Sequence, residues 1–134
     1  GVAAIDVGGS GGTSWGWIEG FRSADPDRRA LAGTFRNWGV PTAEAVAECR
    51  AAVGDDLQIV ATGGLRSGLD AALALALGAD VAGLALPFFR AADTSADEAL
   101  AFGRRVVHEL RIAAFLSGAG SARGLRSVPL REVK

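Results

Sequence analysis

Leu57-Gln58-Ile59-Val60-Ala61-Thr62-Gly63-Gly64-Leu65-Arg66-Ser67-Gly68 passes from a β-branched apolar run through a glycine loop, and residues 69–77 continue as an Ala/Leu segment closed by Gly78. Residues 57–61 read as a strand, and the Ala/Leu segment reads as a helix so apolar that most of it must be buried. Gly78 is its natural C-terminal stop. An earlier stretch has the same layout. Val2-Ala3-Ala4-Ile5-Asp6-Val7 is apolar without strict alternation, as in a parallel-sheet strand covered on both faces, and Gly8-Gly9-Ser10-Gly11-Gly12-Thr13 follows it. A third unit opens with Val81-Ala82-Gly83-Leu84-Ala85-Leu86-Pro87 as its strand. A long helix follows over residues 95–116, where Ser95 and Glu98 have capping-box spacing. Strand and helix in alternation predict an α/β fold with a parallel sheet, whose sites lie at the carboxyl ends of the strands.

Both glycine loops fall at those ends. Without a Cβ the backbone can curl so that several N–H groups converge on one anion, and a helix starting just afterwards adds its positive end. Two such loops in successive units point to phosphate binding more strongly than one.

Between the first loop and the next helix lies Trp15-Gly16-Trp17-Ile18-Glu19, then Ser23-Ala24-Asp25-Pro26-Asp27-Arg28-Arg29, too polar to pack a core. Residues 8–37 are therefore expected to form one long, partly mobile loop. Gly39-Val40-Pro41-Thr42 starts a helix through about Ala52, with Ala43, Val46, Ala47 and Val53 at helical spacing. Residues 117–134 read as a C-terminal tail with a short anchoring stretch.

The chain has 134 residues, enough for one core but short for an enzyme barrel of about 250. It enters its first strand at once, with neither an initiator Met nor a signal-peptide pattern, and is expected to be a piece of a longer polypeptide. A hydrophobic fraction of 49% with 22% charged residues is that of an ordinary soluble domain, and the longest apolar run is shorter than a membrane span. A net charge of −1 argues against a general nucleic-acid binder, so a bound phosphate must be caught locally. Cys49 is the single cysteine, which leaves no disulfide framework or cysteine metal cluster and suits a reducing cytosol.

These residues carry a resemblance. Asp6-Val7 with Gly9 and Gly11-Gly12-Thr13-Ser14-Trp15, then Trp38-Gly39-Val40-Pro41-Thr42, Gly63-Gly64-Leu65-Arg66-Ser67-Gly68-Leu69-Asp70, Leu75-Ala76-Leu77-Gly78-Ala79-Asp80 and Ala85-Leu86-Pro87 stand in the order seen in one family. The chain resembles the C-terminal part of type 2 isopentenyl-diphosphate isomerase, an FMN-dependent (β/α)8 TIM barrel. The second half alone is also similar to FMN-dependent α-hydroxy-acid oxidases, and the Gly-Gly-Thr-Ser-Trp loop favours the isomerase. The resemblance implies that residues 1–134 are the last three βα units of the barrel, carrying strands six to eight and the FMN-phosphate half-site. In similar enzymes the backbone at Gly64, Leu65, Arg66, Ala85 and Leu86 surrounds the flavin phosphate, and Thr13 adds a hydroxyl. A serine is common where this chain has Gly8, which removes one side-chain contact.

The reaction implied converts isopentenyl diphosphate to dimethylallyl diphosphate in isoprenoid biosynthesis. Protonating an unactivated alkene creates a tertiary carbocation-like centre, so reduced FMN is expected to act as acid/base and charge stabiliser. Mg2+ would neutralise the substrate diphosphate, and NADPH would reduce the flavin. The family's substrate- and metal-facing glutamine and glutamate precede the sixth strand. No catalytic residue or metal ligand is therefore assigned to this chain, which is expected to be inactive without the N-terminal part. Cytoplasmic location and a homo-oligomer, tetramer or octamer, complete the implied picture.

Plainer readings stand beside these. Gly63, Gly64 and Gly68 could form only a tight turn, Arg66 could be a solvated loop residue, and Thr13 could be a cap. Asp6 reads as a structural loop anchor, His108 as a mid-helix surface or interface residue, and Cys49 as inert. Trp15, Trp17 and Trp38 read as packing groups, with a lid role open for Trp15 and Trp38. Arg104, Arg105, Arg111, Arg123, Arg126 and Arg131 read as solvated or subunit-contact charges. The competing functions are an FMN-dependent α-hydroxy-acid oxidase or dehydrogenase, which needs a histidine base near the strand ends, and a phosphate-binding half-barrel without catalysis. The outer strands of a three-strand section would expose unpaired edges, so the isolated chain is expected to associate or be poorly ordered.

Overall fold

Gln58–Thr62 forms the central strand β2, parallel to β1 (Ala4–Gly8) on one side and to β3 (Val81–Ala82) on the other, in a computed structural model describing residues 1–131. The register sets Val7 beside Ala61 and Gly8 beside Thr62, so the first two strands end level. The α/β class and the parallel sheet are as expected.

Ile59 and Ala61 of β2 are fully buried with Val7 of β1 against Val46 of α3 (Thr42–Val53) and Ala74 of α4 (Gly68–Ala76). Burying Ile59 alone contributes roughly 1.5–3 kcal/mol. Both helices cover this one face. On the other face Asp6 and Gly8 are exposed and Thr62 is half-buried, so within this chain one face of the sheet is covered and not the two expected. The reason is topological: each crossover returns the chain on the same side of neighbouring strands. In α3 the buried side is Ala45, Val46, Cys49 and Val53, while Ala43 and Ala47 face solvent. Cys49 is free and half-buried against this core.

Residues 8–37 are not one loop. They hold α1 (Trp15–Arg22) and α2 (Pro26–Thr34), whose starts were legible. Ser14 caps α1 through the Trp17 N–H, and Asp25 caps α2 through the Asp27 N–H at 2.9 Å, with Pro26 in the first turn. The two helices pack on each other, Gly20 lying so close to Ala32 that a Cβ would collide. No residue of α2 is buried, in keeping with its polar sequence.

The third strand is shorter than expected. β3 ends at Ala82, and α5 (Leu86–Thr94) starts where the strand was expected to run on, with Pro87 in its first turn. The helix α6 (Ala96–Leu116) then begins at its Ser95 cap, which accepts the Glu98 N–H at 3.1 Å. It packs along α4 and α5, burying Phe102 edge-on to Phe88 at 4.8 Å. A 3-10 turn, Arg123–Ser127, anchors the tail by burying Leu125 against Ala72, Leu75 and Ala114. The last three tail residues lie outside the described residues.

At the amino ends of the strands, Asp80 accepts the Ile59 N–H at 2.8 Å, Arg50 Nη2 at 2.5 Å and Arg126 Nη1 at 3.1 Å. Arg126 also reaches Asp55 at 2.6 Å, so it is a structural bridge and not the solvated or interface charge its tail position suggested.

Candidate phosphate site at the carboxyl ends of the strands

The three strand ends converge on a cleft of about 550 Å³. Gly8, Gly9, Gly11, Gly12 and Thr13 line it from β1, Thr62 to Arg66 from β2, and Gly83 to Pro87 from β3. All six expected site residues, Thr13, Gly64, Leu65, Arg66, Ala85 and Leu86, therefore border one space. Among the described residues Arg66 is the only charged one lining it, and no carboxylate does. That composition suits an anion.

Glycine is required where the two loops meet. Gly63 and Gly64 both have φ +92°, and a Cβ on Gly64 would overlap the carbonyl group of Gly11. Backbone thus lies directly against backbone. Thr42 at the start of α3 fastens the contact, its Oγ1 donating to the Gly63 carbonyl at 2.5 Å. Ser10 N–H donates to the Val40 carbonyl at 2.8 Å and holds the first loop from the other side. Across the sheet Thr62 Oγ1 donates to Asp6 Oδ1 at 2.5 Å, which gives Asp6 the structural role read from its position. Sequence reasoning missed Thr42 and Thr62; a threonine ending the strand beside Asp6 was the available signal.

The helix dipole at the cleft is not the expected one. At the start of α4 the Arg66 and Ser67 N–H groups donate to Asp70 Oδ2 at 2.8 and 3.1 Å, and the Gly68 N–H donates to Glu109 Oε2 at 2.6 Å. Ser67 Oγ in turn accepts the Asp70 N–H, completing a capping box. These donors are consumed by the protein's own carboxylates, so the positive end of α4 is not offered to a ligand. Gly68 serves packing, since a Cβ there would strike the α6 backbone at Val106. The helix that opens on the cleft is α5. Leu86 and Pro87 of its first turn border the space, Pro87 has no N–H, and the first backbone bond of the helix is from the Phe89 N–H to the Ala85 carbonyl at 2.9 Å.

Thr13 is not a cap; Ser14 is. Arg66 offers its guanidinium, its N–H being engaged with Asp70. Trp15 borders the cleft with 78% of its surface exposed, and it also lines a neighbouring pocket of about 460 Å³ shared with Phe35, Arg36 and Trp38. Trp17 packs against Phe21 and under the Arg36 guanidinium. His108 is exposed in the middle of α6 and does not line the cleft. Among the described residues no group of three His, Cys, Asp or Glu side chains could hold a metal, and no helix is long and apolar enough to cross a membrane.

Comparison with known proteins adds to this geometry. Residues 1–130 match the sequence profile of the family described as FMN-dependent dehydrogenase. The chain is 48% identical over 130 residues to an isopentenyl-diphosphate delta-isomerase of Xanthobacter autotrophicus, covering 97% of this chain and 37% of that protein. It is 48% identical over 126 residues to the Synechococcus protein of the same name, covering 94% of this chain and 36% of that one. For the Methanopyrus kandleri protein the identity is 43% over 130 residues, with 96% and 36% covered. The chain thus spans somewhat more than a third of the length of these relatives, in agreement with the resemblance read from the motifs. Among solved structures, one described as a lactate oxidase of Pediococcus acidilactici superposes with a TM-score of 0.69 at 21% identity, over 92% of this chain and 36% of that one. At that identity the likeness is one of fold.

Proposed function

The chain belongs to the FMN-dependent dehydrogenase family, and from that premise we propose that it forms the last three βα units of a (β/α)8 barrel in a type 2 isopentenyl-diphosphate isomerase, its cleft holding the FMN phosphate. The observation that carries this reading is the convergence of three strand ends on one carboxylate-free cleft with Arg66 at its edge. The barrel is supported by three parallel strands in sequential order with α3 and α4 on one face, the arrangement of consecutive βα units in a barrel.

The residues present fit a phosphomonoester. Thr13 donates its hydroxyl, Arg66 its guanidinium, Gly64 and Leu65 loop backbone, and Ala85 and Leu86 the opening of α5. When bound, reduced FMN supplies acid–base and charge-stabilising chemistry for moving the double bond of isopentenyl diphosphate. The chain's own task is to fix the flavin at its phosphate end. Thr62 and Asp6 hold β1 and β2 level beneath it. Residues 117–134 serve as the tail of this section. Substrate-facing groups, Mg2+ on the substrate diphosphate, reduction by NADPH and assembly into a tetramer or octamer belong to the whole cytoplasmic enzyme, which engages neither membrane nor nucleic acid. The oxidase alternative lacks its base here, His108 being in the wrong element.

A titration of FMN and of riboflavin against the folded chain tests the site, with quenching of Trp15 as the signal. FMN is expected to bind at least about tenfold more tightly than riboflavin, the phosphate being the difference. A folded chain that binds neither, even after addition of the N-terminal two thirds of a relative, sinks the assignment. Isomerisation by the reconstituted pair separates the enzyme from a non-catalytic module.

A further inference from the structure

Arg66, Leu86 and Pro87 have a second side. Away from the flavin-phosphate cleft they border a groove of about 330 Å³ between α5 and α6, completed by Arg90, Arg105 and Phe102. Among the described residues three arginines line this groove against a single acidic residue, Glu98. Among the described residues no carboxylate lies within 4.0 Å of any of the three, whereas Arg50 and Arg126 at the opposite end of the sheet are both ion-paired. In a chain of net charge −1 this is a local concentration of unpaired positive charge.

The groove is also partly built. Arg105 lies over the Phe102 ring at 5.2 Å from the guanidinium carbon to the ring centre. Phe102 is itself fixed edge-on against Phe88. A guanidinium resting on a packed ring keeps its N–H rim for an anion and loses less side-chain freedom on binding. The floor beside it is apolar, from Leu86, Pro87 and Phe102.

We propose that this groove is a second anion site that takes a nucleoside diphosphate, its phosphates on Arg66, Arg90 and Arg105 and its less polar part on the apolar floor. Because Arg66 borders both spaces, occupation of the flavin-phosphate cleft weakens binding in the groove, and the reverse holds by linkage.

The test titrates the folded 134-residue chain with ADP, inorganic pyrophosphate and adenosine by calorimetry, alone and with FMN, beside the doubly substituted Arg90→Ala/Arg105→Ala chain. Both arginines are exposed, and circular dichroism checks the fold. The expected result is ADP binding at least roughly tenfold tighter than adenosine or pyrophosphate, lost by tenfold or more in the double variant while its FMN titration is unchanged. Because FMN is read separately, failure of this site and failure of the flavin site are distinguishable. Absence of ADP binding by a folded chain overturns the proposal, as does unchanged ADP affinity in the double variant. Pyrophosphate binding as tightly as ADP would mean an unspecific anion site and would overturn the nucleotide. A double variant that alters only the oligomeric state would reassign the groove to contacts between copies.

Discussion

Glu109, in the middle of α6, accepts the backbone N–H of Gly68 at 2.6 Å and so places a carboxylate on the first turn of α4. Together with Asp70 it seals the helix start that follows the Gly-Gly-Leu-Arg loop. The cleft is consequently bordered by loop backbone and the start of α5, with the start of the helix adjoining the loop in sequence already occupied.

Glu109→Ala should therefore cost stability and spare the flavin. Leaving the N–H of buried Gly68 unpaired costs about 1–3 kcal/mol, and Glu109→Gln should recover most of it. Chemical denaturation measures the loss. An FMN affinity that fell in parallel with stability would contradict the separation of α4 from the cleft.

Gly64→Ala should be far more damaging than Gly54→Ala. Both positions have positive φ, but a Cβ on Gly54 meets nothing within 4 Å whereas one on Gly64 strikes the Gly11 backbone. Backbone strain alone costs about 1–3 kcal/mol, Gly54 lying at φ +55° and ψ −134°, outside the left-handed helical basin. Gly54→Ala should lose about that much with FMN binding intact; Gly64→Ala should lose more and abolish quenching by FMN.

Gly8→Ser should tighten FMN. A Cβ there has only Thr62 Oγ1 nearby, at 3.7 Å, and the position borders the cleft. One added hydrogen bond of about 1 kcal/mol corresponds to roughly fivefold in affinity. An unchanged FMN titration with riboflavin as control would show that the hydroxyl does not reach the ligand.

The amino-end network sets an acid limb of stability. Burial pulls the Asp80 carboxyl upward, but the Ile59 N–H and the Arg50 and Arg126 guanidiniums outweigh it and hold it below the usual carboxylate range. Asp55 is lowered as well, by its hydrogen bond from Arg126 and then by that residue's charge. A carboxylate lowered by folding stabilises fully above its unfolded pKa of about 3.9 and loses that contribution as pH falls through the folded value. Stability should thus fall below about pH 4. Asp80→Asn should remove about 1–3 kcal/mol at pH 7 and narrow its gap to the parent chain below pH 4. A gap independent of pH would refute the assignment.

Local pattern made the three units legible. The apolar runs of β1 and β2, the Gly78 stop and the Ser95 cap each depend on residues within a turn or two of one another. α1 was obscured because it is only eight residues long and interrupted by Gly16 and Gly20, and α2 because its sequence is polar and shows no buried face, although Ser14 and Asp25-Pro26 carried start signals. α5 was obscured because the apolar run of β3 continues into it without a polar break, and only Pro87 marks the change.

The sequence by itself determined the α/β class, the parallel strands and the meeting of the two glycine loops at the strand ends, because glycine loops after strands restrict the backbone locally and parallel strands bring their carboxyl ends together, while the six residues expected there rest on the family resemblance. Tertiary structure alone decided which backbone donors remain for a ligand and which arginines are structural. Glu109 lies 41 residues from the N–H it occupies and Arg126 lies 46 from Asp80, and at such separations only the packing of α6 and the tail against α4 establishes the pairing.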